Sequence, residues 1–387
     1  MNNFEGFLRS DGSVGIRNYI LVASTVQCAN NVAIRIAEKS NSISIVHDFG
    51  CMEFEENSTR TELGLKKACE NPNVYGVILV GLGCEQIDIN KLYNHVKGLN
   101  KPVYKILIQE EGGPKQAISK GVDYAKILEE EAKLIKRESA GLDKLVVGVQ
   151  CGGSDWTTAL AGNTVIGVMT DLIVKNGGTV LMSEVVGFPG SEHVVASRAV
   201  SKSAGIDILN MVTDLREDFI KQYGQIIEEV NPTPGNKAGG ITTLVEKSMG
   251  NIKKMGSVPV QGIINVGEKV SHPGLWVLDC RAQGPDSFVT TAFAMSGAQV
   301  TAFSTGRGSP LGNAVMPLVK ITGNPATFES LNGIMDFNAG RAILGEDINK
   351  VGEDLYKKII EVANGSETKS EYNMNFDYTI PRNQSIV

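Results

Sequence analysis

Short runs that are apolar on both faces alternate with longer stretches that repeat at helical spacing. Residues 18–25 (NYILVAST), 44–47, 74–80 (VYGVILV) and 103–108 predict buried strands, because each is apolar throughout and bounded by turn residues. Helical patterns fall between them at about 30–38, 59–68, 91–97 and 115–137, the last with Lys and Glu on its outer face. The charged helix stops at 138–143 (ESAGLD), the best candidate for a domain boundary, and the alternation resumes. Strands are predicted at 145–150 (LVVGVQ), 179–183, 276–279 and 299–304, and helices at about 165–175, 191–204, 214–230 and 348–364. A polar tail, 365–376, is expected to be loosely held. Strand following helix in this manner predicts an α/β protein of parallel βαβ units, divided near residue 140 into a unit over 1–140 and a second over 141–387.

Composition narrows the function. The 387 residues are 42% hydrophobic and 21% charged with a net charge of −6, an ordinary globular balance without the basic footprint of a nucleic-acid binder. No apolar run reaches the roughly 20 residues of a membrane span. The opening MNNFEGFLRSDG has no apolar signal core, so a cytoplasmic protein is expected. Six cysteines in a chain this long do not make a disulfide scaffold. Cys28, Cys51, Cys84 and Cys151 each stand where an apolar run ends, a placement open to core packing or to metal and redox chemistry.

The informative pattern is how the strands end. HDFGC (47–51), GLGCE (81–85), QEEGG (109–113), CGGSD (151–155) and STGRG (304–308) all follow apolar runs. Ligands of open parallel sheets bind beyond the carboxyl ends of strands, where glycine permits close backbone approach and the next helix directs its N–H groups. Residues 231–250 (NPTPGNKAGGITTLVEKSMG) add a turn-rich loop with Lys237 inside it and Glu246 and Lys247 beyond. The amides of this loop are expected to be bare, and a helix is expected from residue 241. A solvated loop capping a helix is the plainer alternative. No G-x-G-x-x-G follows the first strand, and there is no P-loop or G-x-S-x-G elbow, so neither a nucleotide nor a serine nucleophile is indicated. With four histidines and no His-x-x-x-His pair, His95 and His272 suit structural roles, whereas His47 and His193 remain candidates.

Taken together, these pieces resemble the large domain of the altronate and galactarate dehydratases, a family that also holds the large subunit of sulfolactate sulfo-lyase. GFLRSDGSVGIRN (6–18), the strand endings above, SEH (191–193), PGNKAGGITTLVEKSMG (234–250) and STGRGSPLG (304–312) carry the resemblance in order along the whole chain. It implies a Rossmann-like variant parallel sheet for the second unit and a dimerising role for the first α/β domain, hence a homodimer. It implies loss of water or sulfite from a hydroxy acid with a divalent metal, Fe2+ first and Mn2+ or Mg2+ as alternatives. Single-chain members carry a β-clip (SAF) domain, expected here from a separate small subunit. Three departures stand out. Ser183-Glu184 is followed by Val185-Val186-Gly187 rather than a second acidic residue, Trp156 follows CGGSD, and Asp279 is followed by Cys280-Arg281-Ala282-Gln283 rather than a Thr-Pro-Gly-type turn.

β-Elimination from a hydroxy acid needs a base for the proton α to the carboxylate, stabilisation of the enediolate, and an acid for the departing hydroxyl. On the family resemblance, Asn236, Gly239, Gly240, Arg307 and Arg17 are expected to hold the substrate. Asp155, Glu184, Glu192 and Asp279 are the expected metal ligands. Lys237, Lys247, His193 and His47 are the candidate acids and bases. Cys51, Cys84 and Cys151 form an alternative set for an iron–sulfur cluster. The reaction alternatives are a sugar-acid dehydratase, a sulfo-lyase or other carbon–heteroatom lyase, and a binding subunit with no activity of its own.

Overall fold

Val, Ile and Leu fill the strands of two parallel sheets, as apolar runs without alternation require. The computed structural model describes residues 3–281 and 286–381, so Ala282 and Gln283 of the altered turn lie outside the described residues. β1 (Asn3–Leu8) pairs antiparallel with the two-residue β2 (Val14–Gly15). β3 (Tyr19–Ser24), β4 (Ile43–Ile45), β5 (Val74–Gly81) and β6 (Val103–Leu107) make a parallel sheet in the order β4-β3-β5-β6. β7 (Glu138–Gly141) then pairs antiparallel with β1, Asn3 opposite Gly141, so the first strand and the crossing between the sheets form one ribbon.

The second sheet holds β8 (Val146–Cys151), β9 (Thr179–Met182), β10 (Val260–Asn265), β11 (Gly274–Asp279), β12 (Val300–Ser304), β13 (Leu318–Thr322) and β14 (Phe337–Asn338). Its order is β10-β11-β9-β8-β12-β13-β14, with every neighbouring pair parallel. Because β8 lies between β9 and β12, the chain leaves it in one direction and later returns on its other side. That reversal opens a crevice beyond the carboxyl ends of β8 and β12. One apolar cluster joins the two sheets, with Leu21 and Leu79 of the first packed in the same core as Leu278 and Phe303 of the second. The side chain of Asn73, at the foot of β5, donates to the carbonyls of Gln299 and Val315 (both 2.9 Å).

Several expectations change. The predicted helix at 191–204 is two helices, Glu192–Ser197 and the start of Lys202–Tyr223, because the Ser201 hydroxyl accepts from the Ala204 N–H and begins a new helix. The predicted helix at 214–230 belongs to that second helix until Gly224, in a left-handed conformation, ends it. The tail is not loose: Thr368 and Ser370 are buried, and Tyr378 donates to the Gly64 carbonyl (2.8 Å). The helix Asp286–Met295 and the strands β10 and β13 were not anticipated. Thr290 and Thr291 lower helix propensity in the first, and Lys320, fully buried, interrupts the apolar run of β13.

Candidate active site

The turns after β8 and β12 and the loop at 231–240 meet beyond the sheet. Gly152 N–H donates to the Ser304 carbonyl (2.9 Å), Arg307 N–H to the Gly153 carbonyl (3.2 Å) and Trp156 N–H to the Gly239 carbonyl (2.8 Å). The Asn236 side chain donates to the Ser154 carbonyl (2.9 Å), and Arg307 Nη1 to the Gly235 carbonyl (3.1 Å). They border a cleft of about 710 Å³ whose lining includes Cys151, Glu184, Asn236, Lys247, Asp286 and Arg307. Val186, Phe219, Ile227, Val230 and Val289 give it one apolar wall.

Beneath this floor lies a network that the sequence reading missed. The Lys254 side chain is wholly buried, and its ammonium contacts the Glu184 carboxylate, Cys151 Sγ (2.9 Å) and Asn251 Oδ1 (2.6 Å). Glu184 also accepts the Cys151 N–H (2.9 Å), and Asn163 donates to Cys151 Sγ (3.6 Å) and to the Gly250 carbonyl (2.9 Å). Burial alone would lower the Lys254 pKa, but the negative charge of Glu184 and contact with Cys151 hold it above its ordinary value. Burial, then the Glu184 charge, pushes the Cys151 thiol up, so the sulfur stays protonated. Glu184 sits at φ 61°, a left-handed conformation rare for a residue with a side chain and frequent at functional sites.

Asp286 is the second carboxyl of the cleft. Burial, and then the charge of Glu184, raise its pKa to about 6, against the opposing pull of Lys247 and Lys254. Gln150 donates to it (3.4 Å), and a side chain at Gly152 would overlap its carboxylate, so glycine is what lets the β8 turn reach it. Lys247 reaches Asn231 Oδ1 (2.7 Å) and Asn236 Oδ1 (3.1 Å) at the rim.

Of the expected residues, Asn236, Lys247, Arg307, Glu184 and Cys151 come together here. The others do not. The loop is a short helix, Pro234–Ala238, fastened by reciprocal Thr233 and Asn236 bonds, and the next helix starts at Leu244 rather than 241. The Gly239 and Gly240 amides donate to the carbonyls of Gly235 (3.1 Å) and Lys237 (3.0 Å), which leaves them no proton for a substrate. Lys237 is exposed and is not among the cleft's lining residues. Arg17 is buried far along the fold, bound to Glu371 (2.6 Å) and to the carbonyls of Ile16, Val362 and Ser366, so it is a structural tie.

The four expected metal ligands do not share a centre. Asp155 Oδ1 accepts from Thr157 Oγ1 (2.6 Å) and the Thr158 N–H (3.0 Å) as a cap, and Glu184 is taken by Lys254. Glu192 accepts the Gly190 N–H, with exposed His193 beside it outside the cleft lining. Asp279 pairs with Arg281 (3.0 Å) in a separate cleft with Asp218 and Arg60. Among the described residues no group of three or more His, Cys, Asp or Glu is arranged to hold a cation. The three cysteines are also divided. Cys51 and Cys84 are exposed in the turns after β4 and β5, where Gln86 N–H donates to the Gly50 carbonyl (2.9 Å), whereas Cys151 is buried in the other sheet. His47 shares the rim of the first sheet, with Nδ1 accepting from the Phe49 N–H (3.2 Å) and Nε2 3.0 Å from the Ser24 carbonyl.

A signal for the missed network did exist. Lys247, Asn251 and Lys254 fall at i, i+4, i+7, a polar stripe on a helical segment that faces inward.

Comparison with known proteins now decides the family. Residues 142–386 match the model of the D-galactarate/altronate dehydratase C-terminal domain, and residues 6–133 that of the D-galactarate dehydratase/altronate hydrolase second domain. The chain belongs to the D-galactarate/altronate dehydratase family. It is 33% identical over 383 residues to the altronate dehydratase of Bacillus subtilis, covering 96% of this chain and 76% of that one. The altronate dehydratase of Escherichia coli is 32% identical over 95% of this chain and 75% of its own length. The (2R)-sulfolactate sulfo-lyase subunit beta of Chromohalobacter salexigens is 30% identical over 95% of this chain and 94% of its own. Among the described residues no helix is long and apolar enough to cross a membrane.

Proposed function

We propose that this chain is a sugar-acid hydro-lyase of the altronate dehydratase type, which removes water from a hydroxy acid to leave a 2-keto-3-deoxy acid. The observation that carries the reading is one cleft with two cations on its rim, Lys247 and Arg307, and two carboxyls on its floor, Glu184 and Asp286. The cations suit a substrate carboxylate, Arg307 by its planar fork and Lys247 as a point charge. Neutralising that carboxylate acidifies the neighbouring C–H bond, and a floor carboxylate within reach takes the proton.

A divalent metal, iron first, stays part of the family expectation. The four carboxylates named for it are spoken for by Lys254, Arg281 and local N–H or hydroxyl donors and do not together form a centre that fits it. Metal content of the purified protein is a separate measurement. A small β-clip partner is supported by the relatives: the chain spans about three quarters of two altronate dehydratases but nearly all of a protein named as a subunit. A homodimer through the first domain belongs to the same reading. Sulfite loss is the second reaction, favoured by that same end-to-end match to the sulfo-lyase subunit.

Purified chain, alone and with a candidate small subunit, is assayed for 2-keto acid from altronate and galactarate and for sulfite from sulfolactate. Keto acid from a sugar acid supports the first reading and sulfite the second. Substrate binding without turnover under every condition leaves a non-catalytic subunit.

A further inference from the structure

We propose that Asp286 is the acid that delivers the proton to the departing hydroxyl, with Lys254 as the positioning residue that fixes the Glu184 carboxylate in the same cleft. This assignment rests on the hydro-lyase reading of the cleft.

The geometry separates two carboxyls that share one cleft. Glu184 is fixed from below by a buried ammonium and by the Cys151 N–H. Among the described residues, the Asp286 carboxylate is met by the neutral amide of Gln150 and by no ammonium or guanidinium ion pair, and a side chain at Gly152 would overlap it. Among the described residues, Glu184 after β9, Lys247 on the helix Leu244–Asn251 and buried Lys254 act on it electrostatically, and Arg307 after β12 lines the same cleft. Burial and Glu184 favour the protonated form, and the nearby lysines oppose it without prevailing.

A base, for which Glu184 is the other carboxylate lining the cleft, takes the α-proton. The C–H electron pair becomes the new C=C bond, the C–O bond at the β-carbon breaks, and the oxygen leaves with the Asp286 proton as water. The enol then takes a proton from the base at the former β-carbon and returns its hydroxyl proton to Asp286, which regenerates both groups without oxidant or reductant. The sign of the pH dependence follows. The active form is protonated Asp286, so kcat/KM falls as pH rises through about 6, and a bound substrate carboxylate shifts the corresponding fall in kcat upward.

The test compares wild type and Asp286→Asn on a sugar acid and on its 3-deoxy-3-fluoro analogue, since fluoride departs without needing a proton. Asp286→Asn is expected to lose roughly 10²–10⁴-fold in turnover of the hydroxy acid. On the fluoro acid, followed by fluoride release, its rate is expected within about tenfold of wild type, and the alkaline fall in the pH profile disappears. Unchanged affinity for a 3-deoxy acid that cannot eliminate shows that the variant is folded. Equal losses on both substrates, or an unchanged pH profile, overturn the assignment of Asp286 alone. A wild-type enzyme that turns over neither substrate overturns the hydro-lyase reading and this proposal with it.

Discussion

The two parallel sheets end their strands in the same vocabulary of glycine, acid and cysteine, yet their rims do different things. Around the four-stranded sheet Glu85 accepts from Thr25 (2.9 Å) and the Gly83 N–H (2.7 Å), Glu53 from the Gly50 N–H (2.8 Å) and Thr61, and Glu111 pairs with a partly exposed lysine, Lys120 (2.5 Å). Its cysteines at 28, 51 and 84 are exposed. Around the seven-stranded sheet, Glu184 is held by a lysine with no solvent contact, and the corresponding cysteine is buried against that lysine. A strand-end signature therefore marks a place where a ligand can approach. A buried cation under the carboxylate, and a chain reversal that opens a crevice above it, mark where chemistry is built.

The largest expected effect comes from removing that cation. Lys254→Met leaves the largely buried Glu184 carboxylate, 13% exposed, without its ammonium partner, a loss of about 3–5 kcal/mol in urea unfolding together with loss of turnover. Adding Glu184→Gln recovers part of the stability and none of the activity. A neutral Lys254→Met would erase the contrast between the rims. Arg17→Ala breaks the Arg17–Glu371 pair, in which both side chains are about one-tenth exposed, and is expected to cost about 3 kcal/mol while KM stays unchanged. Gly152→Ala and Gly50→Ala sharpen the comparison at matched cost. Each new methyl overlaps its neighbours, the Asp286 carboxylate in one case and the Thr25 backbone in the other. Both are expected to lose about 1–3 kcal/mol, but only Gly152→Ala loses kcat. The smallest effect is expected at Cys51→Ser and Cys84→Ser, within about 0.5 kcal/mol of wild type and with activity retained. Loss of activity there would move the chemistry to the first sheet.

The strands most legible in the sequence were the uninterrupted ones, such as Val74–Gly81 and Val146–Cys151. The convergence of 151–155, 234–240 and 304–308 was also legible, because the rule for parallel sheets fixes which strand ends share a side. What that rule cannot give is which loop amides remain free. The Gly239 and Gly240 protons were consumed by a turn whose capping pair, Thr233 and Asn236, is visible in the sequence only as a spacing of three. Lys254 was hidden because a lysine is ordinarily an exposed residue, and its burial is accounted for by Glu184, brought from 70 residues away, together with Cys151 and Asn251. Arg17 misled for the converse reason: an arginine in a matching motif signals a charge partner, and here the partner is Glu371 of the returning tail.

The central claim is that the hydroxy acid binds beyond β8 and β12, between the rim cations and the two floor carboxyls. A crystal structure of the wild-type protein with a 3-deoxy sugar acid, which binds but cannot eliminate, tests it most directly. The ligand is expected with its carboxylate on Arg307 and Lys247 and its third carbon toward Asp286. A ligand seated instead at the ends of β4 and β5, beside His47, Cys51 and Cys84, would contradict the claim.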